Sequence, residues 1–304
     1  MSQNWFACSI AIGMHFDDPL VLPIHLSAGI HIENLPDWVR TESALDYLPW
    51  RERQQILDDP QVAFTTEYEA EALGSPDPDW RGDNPRTIQR TIDEKFTLAA
   101  IALWLVKPSR LSCGPTLHFS ARGDSDSMRQ GSSIARVLTS DDDIENQPTL
   151  GDLKMAGALL AKILHLDRKA TTWFALRMLF PALREHHWET RFLLEWVVLE
   201  ALFGPESAGE TTYRLAQRIG LFIGDNADEK RHIFENVKEA YSYRSKVVHG
   251  RRLVKLSKEK SMELTKATEK TLRRAFIKIL SEPELIGKFD GKGRDPYLDS
   301  LLFR

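Results

Sequence analysis

Residues 189–203 read ETRFLLEWVVLEALF. Nearly every side of this segment is apolar, and after its first turn the only carboxylates are Glu195 and Glu200. A helix with apolar residues all round is enclosed by other helices, so the segment predicts a helical bundle. A carboxylate on such a helix needs a cation or a hydrogen-bond donor beside it. Glu195 and Glu200 therefore mark places where a partner helix carries something polar.

Working outward, helical periodicity predicts helices over 151–164, 168–180, 188–203, 210–223, 228–248 and 257–281. In the helix over 228–248, Ile233, Val237, Ala240, Arg244 and Val247 stand at offsets 0, 4, 7, 11 and 14 and form one stripe. Arg244 thus falls on the apolar face, where a charge must be paired or line a cleft. The two carboxylates above are its candidate partners. Gly250 follows as the residue that ends the helix, and His249 sits at its C-terminus, where the helix dipole favours the imidazolium.

Residues 1–150 differ in character. Ser9-Ile-Ala-Ile-Gly13, Leu20 to Leu26 and Ala28 to Ile32 read as short strands, with Pro23 placing the second at a sheet edge. Residues 42–59 have helical spacing on either side of Pro49, and Gly74 to Asp79 is a loop. Residues 86–106 form a helix stopped by Pro108, and 109–150 return to strands and loops. The expected fold is α+β: a mixed α/β N-terminal domain over 1–150 and an antiparallel all-α bundle over 151–304.

The chain has 304 residues, a formal net charge of −4 and a pI near 6.2, which argues against a bulk polycation coating nucleic acid but leaves room for local basic patches. Cys8 and Cys113 form no CxxC pair, so a reducing, cytoplasmic setting without a disulfide framework is expected. The N-terminus MSQNWFACSI lacks a secretory pattern, and the longest apolar run, Phe96 to Val106, is far short of the ~20 residues that span a bilayer. No membrane association, metal or cofactor is expected.

The stretch Tyr241-Ser-Tyr-Arg244-Ser-Lys-Val-Val-His249-Gly250, preceded by a buried helix ending Leu199-Glu-Ala-Leu-Phe203, resembles the HEPN superfamily, closest to its ApeA-like domains in bacterial defence proteins. The resemblance covers roughly residues 150–285. It implies a helical bundle that pairs across a two-fold axis as a homodimer. It also implies metal-independent endoribonuclease activity, with antiviral defence or toxin-like growth arrest as the role. The family's arginine and histidine fall on Arg244 and His249, and the polar residue after the arginine on Ser245. Some branches carry a nucleotide-accepting tyrosine two residues past the histidine. Here that position is Arg251, so that regulation is not expected. Residues 1–150 would then sense a phage-derived trigger or a regulatory protein, or restrain the C-terminal domain.

The chemistry of these residue types agrees. RNA is cut when its 2′-hydroxyl attacks the adjacent phosphorus, which needs a base, an acid and a cation on the phosphoryl oxygens. His249 can exchange protons near neutral pH and Arg244 can grip phosphate with its fork of donors. Lys246, Arg251, Arg252 and Lys255 surround the motif, with no acidic residue between Ser245 and Lys258, and are candidate RNA phosphate contacts. Glu200, Glu195 and Tyr241 are candidate supporting residues. One histidine does not readily supply both proton transfers in one step, so the motif reads as half of a site completed by a second chain. Two other readings stand beside this one. Arg244 can be a structural ion-pair partner and His249 a helix cap, as in a non-catalytic HEPN scaffold. Alternatively, the function lies in an N-terminal nucleic-acid or partner sensor.

Other groups point to ordinary roles. His186-His187 lack metal-ligand spacing, Asp141 to Asp143 read as a solvated turn, and Gly287, Gly291 and Gly293 as a C-terminal loop. The charged helix from Lys255 to Lys270, with Glu259, Glu263 and Glu269 interleaved, reads as a solvated face. Trp5, Trp38, Trp50, Trp80 and Trp104 are expected to pack an N-terminal core. His15, His25, His31 and His118 carry no ligand pattern.

Overall fold

The computed structural model describes residues 2–12, 14, 22–46, 48–58, 62–71, 85–108, 112–131, 135–136, 147–205, 211–248 and 257–303. The chain is mixed α and β and divides into two compact units. The first ends at Leu164 and the second takes up at His165.

In the first unit, β1 (Ser2–Ile12), β2 (Ile24–Ser27), β3 (Ile30–Asn34), β4 (Val62–Glu71), β5 (Ser112–Phe119) and β6 (Met128–Gly131) form an antiparallel sheet in the order β2-β3-β4-β1-β5-β6, and β7 (Ala135–Arg136) pairs with β5. β2 begins immediately after Pro23 and lies at the edge, where a residue without an N–H costs no ladder bond. β1 is the central strand. Its alternate residues Phe6, Cys8 and Ile10 meet Leu35, Val39, Leu45, Leu48 and Ile56 from the β3–β4 connection, which carries α1 (Glu42–Leu45) and α2 (Trp50–Asp58). The intervening residues Trp5, Ala7 and Ala11 are equally buried on the opposite face. Both faces of β1 are covered, which is why its sequence is apolar nearly throughout and why only the Ser9–Gly13 end stood out as a strand.

α3 (Pro85–Val106) packs on β1, β4 and β5, and α4 (Leu150–Leu164) packs on α3 and β2. α4 therefore belongs to the first unit, and the division falls after Leu164 rather than at residue 150. The physical cause is a close approach. A Cβ on Gly157 of α4 would lie 2.5 Å from the Leu26 carbonyl oxygen of β2, so glycine alone lets these backbones meet. Trp5 and Trp104 are core residues and Trp38 packs at the core margin, but Trp50 is 66% exposed, against expectation. Trp80 lies outside the described residues.

The second unit is helical where described. α5 (Thr171–Arg184) and α6 (Trp188–Phe203) are joined by three residues and pack along each other. So do α7 (Thr211–Ile223) and α8 (Ala227–Val248), where a Cβ on Gly220 would meet the Lys230 carbonyl at 2.8 Å. α9 (Lys258–Ser281) lies against α6, α7 and α8. α6 buries Phe192, Trp196, Val198, Leu199, Leu202 and Phe203, as its all-round apolar sequence requires.

Two expectations fail here. α5 runs through Pro181 to Arg184 instead of stopping at 180, because Ala182 and Leu183 are core residues and the proline sits in the last turn, where few backbone bonds remain to break. The C-terminal glycines do not mark a loop. Gly287 lies inside α10 (Pro283–Asp290), and Gly291 and Gly293 separate it from α11 (Arg294–Ser300). Leu285, Phe289 and Leu298 anchor these two helices in the core. α11 also caps α6. Arg294 donates to the carbonyls of Ala201 at 2.7 Å and Gly204 at 3.1 Å, and Arg218 of α7 donates to that of Phe203 at 3.2 Å. These arginines satisfy carbonyls that a helix end leaves unpaired and complement its dipole. Among the described residues, no helix is long and apolar enough to cross a membrane.

Candidate functional site

The end of α8 carries the motif, and the last turn of α6 faces it. Ile233, Val237 and Ala240 are buried as the stripe predicts, and Arg244 and Val247 continue it into a half-buried position. Arg244 meets Glu200: Nη2 lies 2.9 Å from Oε1 and donates its hydrogen bond to Oε2 at 3.0 Å. The two side chains are 24% and 27% exposed. Tyr241, one turn earlier on α8, closes the group. Its ring lies 5.4 Å from the Arg244 guanidinium carbon, and Trp196 of α6 packs edge-on at 5.2 Å. Burial raises the Tyr241 phenol above its ordinary range, and the Glu200 charge adds to this while Arg244 opposes it. Tyr241 thus stands here as a neutral phenol.

Arg244 Nε, a donor, has no hydrogen bond among the described residues, whereas Glu200 Oε1 has the Arg244 Nη2 cation 2.9 Å away. Both are buried just under the surface. Ser245 is half-buried, and Lys246 is exposed with its ammonium 4.5 Å over the Tyr243 ring. His249, Gly250, Arg251, Arg252 and Lys255 lie outside the described residues, as do Asp141 to Asp143.

Glu195 does not join this group. It is fully buried and takes its hydrogen bond from Arg191 Nε at 3.1 Å, one turn back on α6. Arg191 Nη2 in turn pairs with Glu269 of α9. Glu195 and Glu200 are five residues apart, about 140° around a helix, so they face different neighbours. Glu269, expected on a solvated face, is buried because Leu264, Thr265, Thr268 and Leu272 carry that side of α9 into the core. Burial, then the Glu269 charge, hold the Glu195 carboxyl well above the usual carboxylate range, with Arg191 pulling the other way. Arg273 sits near the same pair. Burial lowers its guanidinium and the Glu269 charge opposes that. Sequence reasoning missed Arg191 and Glu269, although Arg191 and Glu195 stand at i, i+4 in the segment that opened the reading.

The first unit holds a second polar group that sequence spacing could not assemble. His118 of β5 is buried, with Nε2 2.8 Å from Asp93 Oδ1 of α3 and Nδ1 2.8 Å from the Tyr68 hydroxyl of β4. Burial raises the Tyr68 phenol, the nearby Gln89 amide pulls it back, and the Asp93 charge raises it further. His186 and His187 are exposed, as expected. Among the described residues, no group of three or more His, Cys, Asp or Glu side chains could hold a metal ion. Comparison with known proteins returned no matching family model, no matching curated protein and no matching solved structure.

Proposed function

We propose that the second unit is a metal-independent endoribonuclease of the HEPN kind, cutting RNA by attack of its own 2′-hydroxyl. The observation that carries the reading is the placement of Arg244. Its guanidinium stands half-open on the final turns of α8, five residues before His249, held from one side by Glu200 and lying over Tyr241. An arginine so placed stabilises charge on a scissile phosphate, while the histidine beside the helix end moves protons. Lys246 is exposed on the same turns and adds phosphate contact. A homodimer joined through this unit supplies a second copy of the motif, and the first unit senses a phage product or a regulatory partner. Growth arrest in antiviral defence is the corresponding role, and the cytoplasm the corresponding place.

A second reading is favoured by one observation, the ion pair itself. Arg244 already has a partner, as a structural arginine in a non-catalytic scaffold would. One experiment separates the two. The purified chain is incubated with RNA in EDTA beside Arg244→Ala and His249→Ala. Cleavage leaving 2′,3′-cyclic phosphate ends, and lost in both variants, supports the enzyme. Absence of cleavage with unchanged oligomeric state in the variants supports the scaffold, and cleavage that requires a divalent metal refutes the mechanism.

A further inference from the structure

α8 sorts its charges by side. At about 100° per residue, Lys230, Arg231, Phe234, Lys238, Tyr241 and Ser245 fall within an arc of about 100° that contains no carboxylate. Asp228, Glu235 and Glu239 gather on the adjoining arc. α7 packs along the acid-free side, with its Gly220 against Lys230 and Phe234, and carries no carboxylate from Thr211 to Ile223. On this side Tyr213 of α7 is 49% exposed and stands 5.2 Å from Phe234, ring edge to ring face. The Lys238 ammonium lies 5.5 Å from the Phe234 ring centre. Lys238 has Glu235 at 3.8 Å, but both side chains are more than half exposed, so this solvated pair is weak and gives way to a phosphate. Arg231 is exposed one turn earlier. From Phe234 the α8 surface runs past Lys238 and Tyr241 to the half-open Arg244, about 15 Å along the helix.

Resting on the ribonuclease reading above, we infer that this side of α7 and α8 binds single-stranded RNA. The Tyr213 ring is the platform on which a base stacks, and Lys238 and Arg231 contact the neighbouring phosphates. An exposed ring beside cations with no carboxylate among them suits unpaired nucleotides. Bases of any sequence stack on the ring, and the cations hold the backbone. A duplex keeps its bases stacked inside and offers the ring nothing. Phe234 supports the Tyr213 ring from one side, so less side-chain freedom is lost when a base settles on it. The strand continues along α8 toward Arg244. Tyr213 therefore acts on substrate affinity and takes no part in proton transfer.

The test measures fluorescence anisotropy of a labelled, non-cleavable 2′-fluoro oligouridine with the full chain and with Tyr213→Leu, Tyr213→Phe, Lys238→Ala and Glu235→Gln, beside cleavage of ordinary RNA in EDTA. Leucine keeps apolar bulk against Phe234 but removes the ring. Tyr213→Leu should weaken binding roughly tenfold, the loss of one stacked base, while Tyr213→Phe stays within about twofold of wild type. Lys238→Ala should lower the slope of log affinity against log salt by about 0.7, the share of one phosphate on a single strand. Glu235→Gln frees Lys238 and should tighten binding. In cleavage, Tyr213→Leu should raise KM and leave kcat unchanged. A duplex bound as tightly as the single strand, or Tyr213→Leu and Lys238→Ala both within about twofold of wild type, overturns the inference. If such variants still cleave as wild type does, the ribonuclease reading survives alone. A chain that binds the RNA through Tyr213 but cleaves none refutes the ribonuclease and supports the platform. A chain that neither binds nor cleaves overturns both.

Discussion

Replacing Arg191 with methionine should destabilise the second unit in a strongly pH-dependent way. Arg191 is the cation shared by Glu195 and Glu269, and the three side chains are 6%, 0% and 6% exposed. Removing one partner of a buried ion pair typically costs about 3–5 kcal/mol, because the charges left behind have neither water nor counter-ion. Protonation limits that cost. The Glu195 carboxyl already lies well above its ordinary value of 4.5, and losing the arginine, which holds it down, pushes it further. With the folded value above the unfolded one, the native state binds the extra proton, so stability falls as pH rises from about 4.5 through the folded value. The variant's deficit should therefore be smaller near pH 5 than near pH 8. Urea unfolding followed by far-UV circular dichroism and by tryptophan fluorescence reports it, with Trp196 beside Glu195 on α6. With an m-value of about 2 kcal/mol/M, the midpoint near pH 8 should drop by roughly 1.5–2.5 M. Replacing Arg191, Glu195 and Glu269 together by apolar residues should restore most of the loss, since no charge then remains buried. An unchanged midpoint near pH 8, or equal shifts near pH 5 and pH 8, would refute the reasoning.

Gly157→Ala sets two effects against each other: alanine gains about 1 kcal/mol in helix propensity, but its Cβ meets the Leu26 carbonyl at 2.5 Å, so a net loss of about 1–3 kcal/mol is expected in thermal unfolding, and a stabilised variant would contradict the close approach of α4 to β2. Arg218 is buried, bonded to Asp295 at 3.1 Å and Asp299 at 2.8 Å, and caps Phe203, so Arg218→Met should cost about 3 kcal/mol and expose α11 to limited proteolysis; an intact digestion pattern would count against this anchoring. Trp50→Ser should change stability by less than about 0.5 kcal/mol despite removing a tryptophan, because the side chain is largely exposed; a larger loss would show that this face is covered.

How much could be read in advance depended on the range of each interaction. Helices over 228–248 and 257–281 match the observed α8 and α9 to within a residue, because their apolar periods are long and local. β4 went unread although Val62, Phe64, Thr66, Tyr68 and Ala70 alternate with Ala63, Thr65, Glu67 and Glu69. Its small and acidic members weaken the pattern, and only pairing with β1 and β3 makes it a strand. Arg244 was placed correctly as a charge on an apolar stripe. Its partner was narrowed to two carboxylates and no further.

The sequence by itself determined that α6 is enclosed by helices, that Arg244 needs a counter-charge and that the two halves of the chain differ in kind. These follow from side-chain periodicity and from the cost of burying charge, both of which act along a single helix. Only the tertiary structure decided that Glu200 takes Arg244 while Glu195 takes Arg191 and Glu269, that α4 joins the sheet, and that Tyr68, Asp93 and His118 meet. Those choices depend on which helix faces which, and that is set by packing between residues far apart in the chain. The physical reason is the 140° between positions five apart on a helix, which sends two similar carboxylates to different neighbours.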